Sequence, residues 1–355
     1  MDDCGNCRND MSGSRTVPVE FSVETWADCG STRSSLSVSE DAVKGINIYV
    51  YHDGRLESSI YSDNPQNLSL DMFIGREYNI YALANTGKAD PFQNESELLS
   101  YRHTVGATSL IKDALPMAWS LAGYTVSNDS PKVSITLTRL LARVNFSVDL
   151  SSVSDLTITD VRLCQAALSI SPFTEGSKAS STSEVGDGDY ASAADLATLN
   201  AGGEICFYVP ENCQGVLLPD NTDPWAKTPD EIPESSHLCT YLELTASYQA
   251  EYGGEEVSSD RLKYRFFLGA DCCTDFNVIR NNDMNVSLEI TEDNVFEDCW
   301  KVEFGGDLPV IKFGLECTPA AVSIEAGSST SAKAIYYRTA DGVRNWESDY
   351  TSYAA

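Results

Sequence analysis

The sequence predicts a mainly β fold built from antiparallel sandwiches, and three observations support this prediction. Apolar and polar residues alternate in many short segments, as expected of strands with one buried face. Turn-forming residues such as Asp-Gly and Asn-Thr-Gly separate the segments. Hydrophobic residues make up 42% of the 355 residues, so the chain can bury sizeable cores without help from a metal or cofactor.

The first alternating segment is VPVEFSVETW, at residues 17–26. Val17, Val19, Phe21 and Val23 occupy every second position, which places them on one face of a strand. The following segment contains Arg33, is polar and has no periodicity, which is typical of an exposed connection. We therefore expect residues 1–35 to be an N-terminal tail that contributes one strand to the body.

The next segment, GINIYVYHDGRLESSIY, predicts a β-hairpin. Its apolar positions alternate, and Asp53-Gly54 supplies the residues that a tight hairpin turn prefers. LSLDMF (68–73) and REYNIYALANTG (76–87) continue the sheet. Asn94 and Glu97 have the spacing of a capping box, which predicts a short helix.

The long strand at 131–150, PKVSITLTRLLARVNFSVDL, loses its alternation after Arg139. Such a slip indicates either a β-bulge or a crossing between domains. We place the first boundary near residue 148 and expect a first core made of Ile48, Val50, Ile80, Val133, Ile135, Val144 and Phe146. Five further strand patterns follow, with a short helix capped by Ser192 and Asp195.

These patterns predict two sandwich domains and part of a third module. The first domain is expected at 36–148 and the second at 149–306. After GGDLP the pattern restarts and resembles the first strands of an immunoglobulin-like module at 307–355. We expect this module to be partial and the natural protein to be longer.

The net charge of −29 disfavours negatively charged partners. This charge repels phosphate backbones and anionic lipid headgroups, so we expect no nucleic-acid partner. No window approaches the ~18 apolar residues of a spanning helix, and the chain does not open with a signal-peptide pattern. The protein is therefore either cytosolic or a secreted protein whose signal lies outside this sequence.

The 11 cysteines do not point to a defined chemistry. They are scattered and odd in number, unlike the framework of a small disulfide-rich domain. Cys4 and Cys7 have redox-motif spacing but lack the strand and helix which that chemistry uses. Cys272 and Cys273 are adjacent, and we expect them to point to opposite faces of a strand.

The sequence predicts no catalytic, cofactor or metal site, and hence no enzyme. The spacing of His237 and Cys239 would allow them to face the same side at the start of a strand, but no further ligand follows at zinc-like spacing. Asp187, Asp189 and Asp195 lack the glycine and closing acid of a calcium loop. The common motifs of serine hydrolases, zinc proteases and P-loop proteins are absent from the sequence.

Several motifs together resemble the fimbrillin superfamily of Bacteroidota, including an uncharacterised branch of it. These proteins are pilins and pilus accessory lipoproteins with two transthyretin-like β-sandwiches. The motifs occur in the family's order between residues 40 and 292. They are INIYVYHDG, YNIYALANTG, LTRLLARVNFSV, FYVPENCQGVLLPDNTDPW and YRFFLGADCCTDFNVIRNNDMNVSLEI.

The resemblance implies an exchangeable strand. In such pilins a trypsin-like protease cuts after an arginine, the N-terminal strand leaves, and a strand from another subunit fills the groove. By this analogy Arg33 is the processing candidate, and Val17, Val19, Phe21 and Val23 mark the exchangeable strand. In the alternative interpretation, 17–26 is a permanent strand and Arg15 and Arg33 are ordinary linker residues.

The resemblance further implies a tip or accessory fimbrial subunit or a surface adhesin, located on the outer membrane or in a fimbrium. Its partners would be other fimbrial subunits or surface ligands. MDDCGNC is similar to the segment that follows a lipid-bearing cysteine, so we expect a lipid anchor upstream of this sequence. The alternative function is a glycan-binding lipoprotein of a nutrient-uptake system, for which Trp225, Tyr241 and Trp346 are the aromatic candidates.

Overall fold

The computed structural model describes most of the chain between Arg15 and Ala354. Its described ranges are 15–25, 42–105, 114–127, 131–153, 155–188, 190–228, 231–232, 238–252, 255–292, 295, 301–303, 312–318, 329–330, 333–340, 343–350 and 353–354. The fold is mainly β and consists of several sheets, as the alternating sequence predicts.

The first sandwich is formed by seven strands in the order β3-β2-β5-β7-β8-β1-β4. They fold around one apolar core to which most of the seven strands contribute. The elements of this part are β1 (Thr16–Thr25), β2 (Ile46–His52), β3 (Arg55–Ser62), β4 (Leu68–Phe73), β5 (Glu77–Ala84), α1 (Glu95–Ser100), β6 (His103–Thr104), β7 (Met117–Thr125) and β8 (Lys132–Arg139).

The predicted hairpin and the predicted helix cap are both confirmed. β2 and β3 pair antiparallel, and the turn residues Asp53 and Gly54 have φ angles of 49° and 73°. Positive φ at both positions is what a tight hairpin turn requires, and Gly54 meets this requirement without steric cost. At the start of α1, the Glu97 carboxylate accepts hydrogen bonds from the backbone and side-chain amides of Asn94.

The sheet of β2 and β5 is buried on both faces. One face belongs to the first core, and the opposite face carries Tyr49, Tyr51 and Tyr81. These tyrosines pack in a second cluster that also contains Leu98 of α1 and Tyr208, which lies in the second sandwich. This cluster therefore joins the two sandwiches through aromatic and apolar contacts.

The second sandwich is formed mainly by two facing sheets, β10-β16-β17-β20 and β14-β9-β19. All five strand patterns predicted here correspond to strands. The elements are β9 (Leu141–Ser152), β10 (Leu156–Cys164), β11 (Ala166–Ala167), β12 (Ser169–Ile170), β13 (Val185–Gly186), α2 (Ala193–Asn200), β14 (Glu204–Pro210), β15 (Asn212–Val216), β16 (Tyr241–Tyr252), β17 (Glu255–Phe267), β18 (Asp275–Val278), β19 (Asp283–Thr291) and β20 (Lys301–Glu303).

The prediction assigned two buried residues to the wrong core. Val144 and Phe146 were expected in the first core, but they lie on β9, which pairs with β14 and β19 in the second sandwich. The pattern slip after Arg139 is therefore a crossing, because β8 ends there and β9 enters another sheet. The other five predicted core residues, Ile48, Val50, Ile80, Val133 and Ile135, all lie in the first core.

After the second sandwich, the described residues include the strands β21 (Lys312–Thr318), β22 (Ser329–Thr330), β23 (Lys333–Ala340), β24 (Val343–Tyr350) and β25 (Tyr353–Ala354). β23 pairs antiparallel with both β21 and β24. The division into domains, including an immunoglobulin-like module from residue 307, remains a prediction. The pairing of β9 favours a first crossover at Leu140 and Leu141 rather than near residue 148.

The α-helices in the described part of the chain are α1, with six residues, and α2, with eight. No helix within these described ranges has the length and hydropathy needed to cross a membrane. Both helices instead lie against the sandwiches, each with one leucine, Leu98 or Leu199, in an apolar cluster.

Candidate functional site

The candidate exchangeable strand, β1, connects two strands that are distant in sequence. Its first half, from Thr16 to Phe21, pairs antiparallel with β4, and its second half, from Glu20 to Thr25, pairs parallel with β8. The two pairings overlap only at Glu20 and Phe21. β1 therefore lies between β8 and β4 and joins β4 to the rest of the sheet. It is not the last strand of the sheet.

All four residues predicted to face inward from β1 do so. Val19 and Phe21 are buried, with 0% and 3% of their surface exposed, and Val17 and Val23 are half-buried against the same core. Phe21 lies opposite Leu68 of β4 on one side and beside Val133 of β8 on the other. Burying a side chain as fully as Val19 or Phe21 contributes roughly 1.5–3 kcal/mol before the entropy of ordering the strand is subtracted.

The outward face of β1 contributes much less to stability than the inward face. Lys132 Nζ lies 2.9 Å from Glu20 Oε2, but both side chains are more than half exposed. Ser22 Oγ donates a 3.3 Å hydrogen bond to Ser134 Oγ, also at the surface. Exposed ion pairs contribute about 0–1 kcal/mol, so the inner face and the backbone hydrogen bonds hold β1 in place.

Among the described strands, β1 is the one partner to which β4 is hydrogen-bonded. If β1 left without replacement, β4 would lose its backbone pairing and the first core would open between β4 and β8. Exposed apolar side chains are costly in water, and an unpaired strand edge is a template for pairing with another strand. Arg33, the candidate processing residue, lies outside the described residues, as does Trp26.

The second sandwich contains a cavity of about 720 Å³ beside β19. The apolar part of its lining includes Trp225, Phe266, Met284 and Val286, which also contact the core of this sandwich. Within the described strands, β19 ends its sheet, so the cavity lies along a sheet edge. Sequence reasoning missed this site, because alternation predicts which face of a strand is buried but not which strand is last in a sheet.

A buried lysine holds a loop that lines this cavity. Lys227 Nζ donates hydrogen bonds to the backbone oxygens of Asp275 at 2.8 Å and Asp271 at 2.9 Å. It also lies 4.5 Å from the centre of the Phe276 ring. Burial lowers the pKa of Lys227, while the nearby acidic groups of Asp271 and Asp275 oppose this shift. Lys227 thus joins both ends of the loop to the wall of the cavity.

The same loop corrects the prediction for the adjacent cysteines. Cys272 and Cys273 lie in a bend between β17 and β18 rather than on a strand, and their Sγ atoms are 3.5 Å apart. Gly269 permits this bend, because a Cβ atom there would collide with the backbone oxygen of Asp275. The glycine and aspartate in LGADCCTD were the signal for a turn at this position.

A charged cluster lies on the outer face of the second sandwich. Glu243 is 1% exposed and contacts three cationic side chains, those of Arg162, Lys263 and Arg265. Burial by itself would raise the pKa of Glu243, but hydrogen bonds from Arg162 and Arg265 outweigh burial and lower it. The carboxylate therefore stays ionised and holds β10, β16 and β17 together.

Of the three aromatic candidates for a glycan platform, the structure places one at a cavity. Trp225 lines the cavity beside β19. Tyr241 is buried, and the Arg265 guanidinium lies 5.1 Å from the centre of its ring. Trp346 lies in β24, where only the backbone is described. The buried ring of Tyr241 therefore does not form an exposed platform with Trp225.

Two of the three acidic residues considered as metal ligands, Asp187 and Asp195, have structural roles. Asp195 and Ser192 form the predicted capping box of α2, and Asp187 accepts a hydrogen bond from the backbone of Gln165. Within the ranges that the structure describes, no three His, Cys, Asp or Glu side chains are grouped as metal ligands. The described part excludes Cys4, Cys7, Asp189 and His237.

Comparison with known proteins shows which families and structures this chain resembles. Residues 207–288 match the model of a family described as a domain of unknown function, DUF4906. This range runs from β14 to β19 and contains most of the residues that line the cavity. No protein of curated function is significantly similar to the chain.

Two solved structures share the fold over most of the chain. The tip fimbrial protein Mfa3 of Porphyromonas gingivalis, with a C-terminal truncation, is 12% identical, with a TM-score of 0.52. That alignment covers 79% of this chain and 96% of Mfa3. A proposed cell adhesion protein of Parabacteroides distasonis is 14% identical, with a TM-score of 0.51, and covers 78% of this chain and 93% of its own.

The chain therefore has the fold of fimbrial and adhesion-type β-sandwich proteins of Bacteroidota. The resemblance inferred from the ordered motifs is confirmed at the level of the fold. At such low identity the comparison concerns the fold alone.

Proposed function

We propose that the chain is a tip or accessory subunit of a fimbrium, or a related surface adhesin, that assembles by β-strand complementation. The observation that carries this proposal is the position of β1 between β4 and β8. We call the position between β4 and β8 the slot. A strand that fills it can be replaced by another strand that restores both pairings and the apolar contacts. The proposed location is the cell surface, in a fimbrium or through the expected upstream lipid anchor.

The slot sets requirements for the incoming strand. It must run parallel to β8 and antiparallel to β4, and it must place apolar side chains at the positions of Val19 and Phe21. Because loss of β1 would leave β4 without its strand partner, we propose exchange with a second strand rather than simple release. Another fimbrial subunit is the proposed donor.

Proteolytic processing at Arg33 is the first step to test. The sequence around it, ADCGSTRSSLSVSED, is polar and has no periodicity, which is typical of segments that proteases reach. Brief trypsin treatment followed by mass spectrometry should show cleavage after Arg33 before cleavage inside the body. The Arg33→Gln variant should lose this cut and keep the others. Earlier cleavage at Arg139 or Arg265 would contradict the proposal.

Strand exchange is the second step to test. The nicked protein is incubated with a labelled peptide copy of residues 17–26, and peptide that stays with the protein is measured after gel filtration. We expect incorporation, whereas a matched peptide with Val19→Asp and Phe21→Asp should be excluded. If the unmodified peptide never enters nicked protein, β1 is a permanent strand and assembly through this slot must be abandoned.

Glycan binding is the second candidate function, and the cavity beside β19 is the observation that favours it. Trp225 supplies an aromatic surface, and Asn277 and Asn285 supply polar groups at the cavity wall. Sugar-binding sites commonly combine an apolar surface with a few polar groups that fix orientation. As a surface lipoprotein of a nutrient-uptake system, the chain would capture a polysaccharide here.

Affinity gel electrophoresis with a set of polysaccharides tests this second candidate. Specific retardation should be lost in Trp225→Ala and kept in Tyr61→Ala, which removes an exposed aromatic ring from the first sandwich. Retardation without any effect on strand exchange would favour the glycan-binding function. Mobility that no polysaccharide changes would count against it.

A further inference from the structure

Cys272 and Cys273 form a close pair of thiols in a loop that lines the cavity in the second sandwich. Their Sγ atoms are 3.5 Å apart, and Cys272 is exposed to solvent while Cys273 is partly exposed. A disulfide has an S–S distance of about 2.05 Å, so the two sulfur atoms must approach by about 1.5 Å for a bond to form. Cys272 also lines the cavity.

The backbone around the pair is held on both sides. The Asp271 carboxylate accepts hydrogen bonds from the backbone N–H of Cys273 at 2.8 Å and from the hydroxyl of Thr274 at 2.6 Å. Lys227 holds the backbone oxygens of Asp271 and Asp275 from the other side. The two thiols therefore approach each other with little loss of backbone freedom, because the loop is already ordered.

We infer that Cys272 and Cys273 are a redox modification site, a dithiol that closes reversibly to a disulfide between adjacent residues. This inference goes beyond the proposed functions, and it requires neither strand exchange nor glycan binding. The co-reactant is a small-molecule disulfide, which the thiols meet in solution at the surface of the loop.

The reaction has two exchange steps that balance. The Cys272 thiolate attacks one sulfur of the small disulfide, forming a mixed disulfide and releasing one small thiol. The Cys273 thiolate then attacks Sγ of Cys272, closes the ring and releases the second small thiol. Two protein thiols are oxidised, one small disulfide is reduced, and the two cysteine protons end on the two released thiols.

The backbone geometry predicts that this disulfide is labile. Consecutive Cα atoms lie about 3.8 Å apart across a trans peptide bond, whereas most disulfides join Cα atoms about 4.4–6.8 Å apart. The closed ring is therefore strained, and strained disulfides are more easily reduced. Closure would also replace the free Cys272 thiol in the cavity lining, to which Lys227 also belongs, with a rigid ring.

Peptide mass spectrometry of the full chain tests the inference. Trypsin cleavage after Arg265 and Arg280 releases FFLGADCCTDFNVIR, which contains only these two cysteines. After incubation with oxidised glutathione, the peptide should be lighter by two hydrogen atoms and should resist alkylation. Mild reduction should restore two alkylated thiols. Cys164 and Cys239 are internal controls, because burial raises the pKa of each to about 12 and should keep them as thiols.

The matched variants Cys272→Ser and Cys273→Ser distinguish closure of the disulfide ring from the reaction of a single thiol with glutathione. Cys272→Ser should lose closure, and Cys273→Ser should stop at the glutathione adduct on Cys272. Three results for the unaltered chain would overturn the inference. They are two thiols that remain alkylatable after oxidation, a glutathione adduct that never closes, and a disulfide from either residue to another cysteine.

Discussion

Arg280 and Glu211 form a buried ion pair in which Arg280 Nη2 lies 2.5 Å from Glu211 Oε2. Their side chains are 7% and 1% exposed. The Arg280 guanidinium also donates to the backbone oxygens of Ser171, Pro172 and Thr174, and the Glu211 carboxylate accepts from Ser177. One ion pair thus anchors the 171–177 loop against the second sandwich.

Breaking this pair from one side should be strongly destabilising. Arg280→Met leaves the Glu211 carboxylate buried without its cation, and removal of one partner of a buried pair costs about 3–5 kcal/mol. Lys132→Met is the matched control, because it breaks an exposed pair that is worth about 0–1 kcal/mol. Urea unfolding at neutral pH measures both. Equal stabilities of the two variants would contradict the role given to the buried pair.

The same pair predicts a pH dependence. Burial alone would raise the pKa of Glu211, but hydrogen bonds and charge from Arg280 outweigh burial and lower it below its ordinary value of 4.5. Glu211 therefore binds protons more weakly in the folded state than in the unfolded state. Its contribution to stability is present above pH 4.5 and is lost as the pH falls through the lowered folded-state pKa.

Glu211→Gln cannot take part in this titration. We expect the free energy of unfolding of the variant to fall less steeply than that of the unaltered chain between about pH 5 and about pH 3. Urea unfolding at several pH values in this range measures the two slopes. Parallel slopes would show that Glu211 does not contribute to the acid sensitivity.

The energetic role of β1 is testable with two neighbouring residues. Phe21→Ala removes a buried ring between β4 and β8 and should cost about 3–5 kcal/mol. Ser22→Ala changes an exposed side chain on the other face of the same strand and should leave stability within about 0.5 kcal/mol. Thermal and urea unfolding compare the two variants. A small effect of Phe21→Ala would mean that β1 is not seated in the core as the structure shows.

The two cores should respond separately to truncation. Ile48→Ala in the first core should cost about 2–5 kcal/mol, and Phe146→Ala in the second should cost about 3–5 kcal/mol. Hydrogen exchange should show that Ile48→Ala mainly weakens protection in β2 and β5, and that Phe146→Ala mainly weakens it in β9 and β14. Loss of protection across both sandwiches in each variant would indicate one cooperative unit instead.

The proposed domain division has its own test in limited proteolysis. Cleavage near residues 304–309 is expected, because the composition changes there at GGDLP. A resistant fragment that extends through this stretch, together with no cleavage near Leu140, would contradict separate modules. The fragments are identified by mass spectrometry with their terminal residues.

Local elements of this fold could be predicted from sequence because their causes are local. Alternation at Ile46, Ile48 and Val50 followed by Asp53-Gly54 determines a strand and its turn, since both depend on neighbouring residues. The inward direction of Val19 and Phe21 follows from the same two-residue period. The caps of α1 and α2 were also predictable, since the capping residues lie three positions apart.

Pairings between distant segments were decided by the tertiary structure. The parallel contact of β1 with β8 joins residues more than 100 positions apart, and nothing in the alternation of either strand selects its neighbour. Val144 and Phe146 illustrate the consequence. Their pattern correctly indicates burial, but only the crossing at Leu140 determines which core receives them.

The sequence by itself thus determined the strands, their turns and their apolar faces, through backbone preferences and the burial of alternate side chains. Only the tertiary structure decided that Tyr49, Tyr51 and Tyr81 are buried on the second face of their sheet, because that requires α1 and the second sandwich to pack there. The tertiary structure also determined the position of the cavity beside β19 and the short distance between the sulfur atoms of Cys272 and Cys273. These features depend on where a sheet ends and on how a loop closes, and both are set by contacts between distant segments.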